Sequence, residues 1–185
     1  MSPHTPRPAW SHPAAIDVDT LIKECTFTKG RTGGPGGQHR NKVETAVFVV
    51  HTPTGLEAHG SERREATVNR SVAIFRLRLA LATEVRCAVP IGEIGSPLWK
   101  SRLVAKRDAD GKTHTRIACN PEHQDYPAIL AEAMDVIADA GWDVSKAALR
   151  LETTASQLVK LVKDHHQAFA KMNEQREKHK LPRLK

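Results

Sequence analysis

The sequence predicts an α+β fold: a small hairpin sheet backed by a long helix, then a helical appendage and a basic tail. Three observations predict it. Residues 43–51 are rich in β-branched side chains, the turn Pro53-Thr54-Gly55 follows, and residues 56–59 return as a partner strand. Val68, Val72, Phe75, Leu79 and Ala82 then repeat at spacings of 4, 3, 4 and 3, which lines one face of a helix ending about residue 85. Beyond a stretch at 88–97 with two prolines and two glycines, Pro127 opens another helix and Gly141 closes it, the usual order of those two residues.

Taken in chain order, residues 1–15 read as a disordered leader, with four prolines in the first thirteen positions and no apolar core of a signal peptide. A compact domain is expected over 16–86. Asp17 or Asp19 caps a short helix through residues 20–24, and residues 25–28 alternate like a short strand. Ser61 can cap the long helix. Residues 87–126 form a linker with a possible hairpin, its arms at 98–103 and 113–118 and its turn at Asp108-Ala109-Asp110-Gly111. A helical, helix-turn-helix-like segment follows over 127–166, and a basic tail over 167–185. No internal repeat is present.

The chain of 185 residues carries 28 Lys+Arg against 21 Asp+Glu, a net charge of +7. That surplus suits a polyanionic partner, RNA or DNA ahead of a membrane, although a solvated basic surface would also produce it. Cys25, Cys87 and Cys119 are odd in number and unpaired by any CxxC spacing, so they read as reduced packing residues. The histidines are scattered, and the adjacent pair His165-His166 would face two sides of a helix; no metal site and no cofactor are expected. No apolar run approaches the roughly 18 residues that span a bilayer. A cytoplasmic monomer without membrane contact is the expectation.

Chemistry concentrates in residues 30–42. Five of the eleven glycines lie between Gly30 and Gly37. Glycines permit close backbone approach, and Pro35 stiffens the base. The tip offers the Gln38 amide and neighbouring backbone N–H groups, flanked by Lys29, Arg31, Arg40 and Lys42, which can hold phosphates. A flexible surface turn is the plain alternative. A nucleotide-binding loop is disfavoured, because neither the Walker nor the dinucleotide spacing is met.

The stretch GGPGGQHRNK resembles the signature of the catalytic domain of class I peptide-chain release factors and their short ribosome-rescue relatives. Downstream, VETAVFVVHTPTGL is similar to that family's strand, turn and returning strand, and Arg64 and Asn69 match an Arg and an Asn at the start of its last helix. The resemblance covers roughly residues 20–82. Arg40, where many members are apolar, and Glu65-Ala66, where Ser-Gln is common, depart from it. The resemblance implies hydrolysis of the peptidyl-tRNA ester, with Gly36, Gly37 and Gln38 inserted in the large-subunit catalytic centre. Backbone N–H donors at Gln38 would stabilise developing charge, and a closed RNA pocket would position the water. His39 has a near-neutral unperturbed pKa, but bracing the loop or touching RNA suits it better than general-base work. The implied partners are large-subunit ribosomal RNA, P-site peptidyl-tRNA and the messenger channel.

Decoding release factors are roughly twice this length, so codon-independent rescue of stalled ribosomes is the expected variant. From Lys160 onward eight basic residues face three acidic ones. Lys160, Lys163, Lys171, Arg176, Lys178, Lys180, Arg183 and Lys185, with Arg64, are the candidate RNA contacts. Residues 143–162 also resemble the helix-turn-helix of bacterial DNA-binding regulators, with Ser156, Gln157, Lys160 and Lys163 on the second helix. A plain helical hairpin is the alternative there. A nucleic-acid-binding regulator or adaptor acting through this segment is therefore the competing function.

Overall fold

The computed structural model describes residues 10–30, 45–92, 94–107, 111 and 113–185. The chain divides into two compact units, Ile16–Leu81 and a second that joins residues 10–15 to residues 82–185. The division falls before the expected boundary at 86.

In the first unit, α1 (Val18–Lys23) starts at Asp17, whose carboxylate accepts from the N–H groups of Asp19 and Thr20. Strands β1 (Cys25–Gly30), β2 (Ala46–His51) and β3 (Glu57–Gly60) form an antiparallel sheet in the order β1-β2-β3. The register runs from Cys25 opposite His51 to Gly30 opposite Ala46, and from Val47 opposite Gly60 to Val50 opposite Glu57. As the central strand, β2 buries Ala46, Val47 and Val49. The long helix is α2 (Ala66–Glu84). Its buried stripe matches the expected one only in part: Ala82 is buried and Val72, Phe75 and Leu79 are half-buried, but Val68 is exposed, and Asn69, Ala73, Leu77 and Leu81 are buried. The Asn69 backbone lies close to β3, its carbonyl oxygen 2.2 Å from where a Cβ on Gly60 would sit.

In the second unit, α4 (Tyr126–Asp139) is the axis, with every residue from Tyr126 to Ile137 buried. On it pack α5 (Val144–Arg150) and α6 (Ala155–Lys163), and α7 (His166–Lys178) packs on α6. Gly141 closes α4 at φ 68°, as expected of a helix-ending glycine. The first arm of the expected hairpin is displaced. Residues 97–101 are a short helix, α3 (Pro97–Ser101), because the Ser96 hydroxyl caps Trp99 N–H and Pro97 occupies the first turn. The hairpin is formed instead by β4 (Leu103–Arg107) and β5 (Thr113–Ile117). Asp108, Ala109 and Asp110 of the expected turn lie outside the described residues. Buried carboxylates on α4 hold the approach to α3: Glu132 accepts from Ser96 N–H and its hydroxyl, each at 2.6 Å.

Residues 10–15, expected within a disordered leader, pack into this unit. Trp10 Nε1 donates to Asp135 at 3.0 Å, and Arg86 and the Cys87 N–H donate to the same carboxylate. His12 accepts from Ala14 N–H at Nδ1 and contacts the Val85 carbonyl at 3.2 Å through Nε2. Burial, helped by Arg86, pushes His12 down to about 4 from 6.5. Burial also pushes Asp135 up to about 6 from 3.8, against the opposing hydrogen bonds and Arg86. The consequences for stability have opposite signs. His12 is held neutral, so its contribution is lost as pH falls from 6.5 toward 4. Asp135 takes up its proton more readily when folded, so stability is gained as pH falls through 6 toward 3.8. The two effects oppose each other over largely the same pH range. Thermal melts of the intact chain should therefore vary less between pH 4 and 6 than those of a variant lacking either group. Asp135→Asn should make acidification destabilising, and His12→Gln should make it stabilising. Identical pH slopes in all three proteins would refute the pairing.

The expected basic tail is partly folded structure. Beyond α7 the chain turns back, with Leu181 N–H on the Arg176 carbonyl at 2.8 Å and Leu184 N–H on Asn173 Oδ1 at 2.8 Å. Arg176 is itself buried and donates to the carbonyls of Trp142 and Pro182. Its guanidinium therefore closes two backbone acceptors inside the fold, which corrects its assignment as a phosphate contact. Arg176→Met should lower the stability of this unit by about 2 kcal/mol in urea denaturation, the cost of stranding buried acceptors.

Candidate functional site

The glycine-rich segment springs from the sheet. Gly30 ends β1 directly opposite Ala46, which begins β2, so both ends of the intervening residues leave the sheet at neighbouring positions. Gly36, Gly37 and Gln38, with Arg31, His39, Arg40 and Lys42, lie outside the described residues. What is described is the base that carries them.

Asn69 organises that base. Its Nδ2 donates to the Thr45 carbonyl at 2.7 Å and to the Arg63 carbonyl at 2.8 Å, and its Oδ1 accepts from Arg63 N–H at 2.9 Å. Both amide hydrogens and the oxygen are thus used by one fully buried side chain. The return point of the segment, Thr45, is thereby tied to the turn that enters α2. Gly60 makes this possible: a Cβ there would lie 2.2 Å from the Asn69 carbonyl oxygen and 3.1 Å from Ala73 N. Leucine or alanine at 69 would leave backbone groups of Arg63 and Thr45 without these partners.

The His-x-Pro-Thr-Gly turn lies at the opposite end of β2. His51 Nδ1 contacts Thr54 Oγ1 at 2.8 Å, its Nε2 contacts Glu24 Oε2 at 3.1 Å, and its carbonyl accepts from Gly55 N–H at 2.8 Å. Gly55 has φ 70°, which the turn needs. This histidine closes a hairpin about a strand's length from the glycine segment.

Residues 14–89 match the model of the RF-1 domain. The chain contains a class I release-factor domain. Its relatives include the chloroplastic peptide chain release factor PrfB1 of Arabidopsis thaliana, 37% identical over 82 residues, which are 43% of this chain and 18% of that protein. Peptide chain release factor 1 of Acidiphilium cryptum is 39% identical over 82 residues, 43% of this chain and 23% of that one. Peptide chain release factor 1 of Xylella fastidiosa is 27% identical over 157 residues, 81% of this chain and 39% of its own. The chain therefore spans well under half the length of these relatives.

Within the RF-1 domain, the cations separate into free and committed groups. Lys29 on β1 and Arg64 in the turn before α2 are exposed. Asn69 ties the Arg63 backbone to Thr45, and Arg63 is a residue that motif reading did not single out. Arg70 lies over the Phe27 ring at 3.9 Å from its centroid, a cation–π contact. Arg76 bonds the His59 carbonyl and the Glu62 carboxylate. Glu62 also accepts from Ser61 N–H, and these partners hold it down to about 2.

Outside the RF-1 domain, Lys160 and Lys163 are exposed on α6. Lys171 bonds Glu84 at 2.6 Å, Lys178 bonds Glu174 at 2.6 Å and Arg183 bonds Glu177 at 2.9 Å. Lys180 and Lys185 are exposed. The expected helix-turn-helix pair is α5 and α6, but Gln157 is engaged within the fold. Its Oε1 accepts from Ile117 N–H at 2.7 Å and its Nε2 donates to the Thr115 carbonyl at 2.6 Å. The side chain stands in for a third strand along β5.

Among the described residues, His12, Cys87 and Asp135 bring one ligand atom each within 4.8 Å of one another. The ring nitrogens of His12 and both oxygens of Asp135 already have hydrogen-bond partners, so this group reads as a buried polar lock. No helix among the described residues is long and apolar enough to cross a membrane.

Proposed function

We propose that this protein releases nascent peptides from peptidyl-tRNA on the ribosome, independently of a codon, through Gly36-Gly37-Gln38. The observation that carries the reading is an RF-1 domain match that includes the intact Gly-Gly-Gln, above a strand pair whose base is clamped by Asn69. A clamped base would direct a glycine-rich tip without filling the space the tip must enter. The backbone N–H groups at the tip are uncharged donors suited to an oxyanion, and ribosomal RNA would complete the pocket that positions water. Lys29, Arg63 and Arg64 would take phosphates around the entry, with Arg31, Arg40 and Lys42 as further contacts from the glycine segment. The reaction would require neither a metal nor a protein general base. It would take place in the cytoplasm, with a monomer acting on large-subunit RNA and P-site peptidyl-tRNA.

Codon-independent rescue is favoured over decoding by the character of the remaining described residues. They form a helical unit whose exposed α6 cations suit an RNA backbone. A sequence-reading DNA regulator is disfavoured, because Gln157, the amide best placed to read a base, is committed to β5.

The test is peptide release from ribosomes stalled on messages truncated in the P site, with stop-codon complexes as the comparison. Release from truncated complexes, with no preference for stop codons, is the expected result. Absence of release from truncated complexes at every protein concentration would overturn the proposal.

A further inference from the structure

The second unit holds an open groove between β5 and α6 with a volume of about 860 Å³. Ile117, Pro121 and Leu161 line its more buried part, and Arg116, Asn120 and Lys160 stand exposed around it. Lys163 lies one turn further along α6, its ammonium 6.0 Å from the Phe169 ring centroid. Asp164 is the acidic residue of the lining and works against an anion at that end. Among the described residues, no ion pair engages Arg116, Lys160 or Lys163.

A groove beside a strand commonly captures an extended peptide by adding a strand to the exposed edge. Here that mode is closed. The Gln157 amide already pairs with Thr115 and Ile117, the backbone groups an incoming strand would need. What remains is an apolar bed flanked by cations: a basic groove tracks the backbone of single-stranded nucleic acid, and here the aliphatic Ile117 and Leu161 stand where an aromatic platform is usual. The volume lies within the roughly 300–1,000 Å³ of ordinary small-molecule clefts, too small for a duplex to enter.

We propose that the β5–α6 groove binds single-stranded RNA, with Arg116 and Lys160 taking successive phosphates, Lys163 extending the track, and a base lying against Ile117 and Leu161. The choice of RNA over DNA rests on the release reading above; the groove's chemistry does not. Cys119 also lines the groove and is half-buried, which makes it a reporter of occupancy.

The experiment uses the full chain and a short fluorescent single-stranded RNA of mixed sequence. Arg116→Glu with Lys160→Glu should weaken binding by about tenfold or more and flatten the salt dependence by about 0.7 per lost phosphate contact. Lys23→Glu with Lys146→Glu, an equal charge change at exposed sites elsewhere, should weaken it by no more than about threefold. In the unsubstituted chain, RNA should slow alkylation of Cys119 several-fold while Cys25 and Cys87, followed by mass spectrometry in the same sample, are unaffected. The protection measurement needs no variant to fold. The proposal fails if the groove variant binds as the parent does, if the control pair loses as much affinity, or if RNA leaves Cys119 unprotected. Protection of Cys119 by polyglutamate equal to that by RNA would also overturn it, in favour of an acidic protein. Gly37→Ala should remove peptide release while leaving RNA binding and Cys119 protection intact, so failure of the release reading and failure of this one are distinguishable.

Discussion

Gly37→Ala should lower peptide release on stalled ribosomes by at least about a hundredfold, and Gln38→Glu by a similar factor. In the proposed mechanism the tip contributes backbone, so its only steric reserve is the absence of a Cβ. Adding one at 37 moves the N–H donors away from the ester. A misplacement of about 1 Å costs on the order of 10² in rate, and loss of one oxyanion donor costs 10²–10³. Glutamate at 38 keeps the shape but sets a negative charge beside a developing one, inside a pocket where water screens little. Both effects belong to the transition state. They should therefore appear in single-turnover release at saturating protein, with half-saturating concentration nearly unchanged. Release within about threefold of the parent would remove these residues from the chemistry.

Gly60→Ala should unfold or severely destabilise the first unit, by about 3 kcal/mol or more, out of a total expected for such a domain of roughly 5–15 kcal/mol. The obstacle is backbone: the new methyl would sit 2.2 Å from the Asn69 carbonyl oxygen, which no rotamer change can move. Relief would require α2 to lift from β3, and that would break the three Asn69 hydrogen bonds holding Thr45 and Arg63. Gly55 provides the contrast. It has φ 70° with nothing within 4 Å of a built Cβ, so Gly55→Ala should cost only the left-handed strain, about 1–2 kcal/mol. Hydrogen exchange of the β2 amides separates the cases, since it reports on this unit alone. Equal loss of protection in the two variants would mean that the close approach at Gly60 carries no special weight.

Much of the fold is legible in local chemistry. The β2–β3 hairpin is announced by β-branched residues and Pro53-Thr54-Gly55, α1 by an aspartate cap, and α4 by Pro127 and Gly141. Release-factor likeness is legible too, because its motif is contiguous. The failures share a cause. The α2 face was legible only in part: Ala82 is buried as expected, but apolar periodicity passes over the buried Asn69. Residues 98–101 look strand-like by composition, yet the Ser96-Pro97 pair starts a helix there. Trp10 and His12 sit among prolines that suggest disorder, and their partners Asp135 and Val85 lie far along the chain.

From the order of residues alone came the α+β class, the β2–β3 hairpin, and the nomination of Gly36-Gly37-Gln38 as a tip. All of these depend on neighbours in the chain: turn residues, caps, a run of glycines. The Asn69 clamp on Thr45 and Arg63, the engagement of Gln157 along β5 and the burial of Arg176 depend on folding. A polar side chain's role is set by which backbone groups lie within about 3 Å of it. For Asn69 those are on Thr45, for Gln157 on Thr115 and Ile117, and for Arg176 on Trp142 and Pro182. A side chain free to bind RNA and one consumed by the fold carry the same letter, and packing distinguishes them.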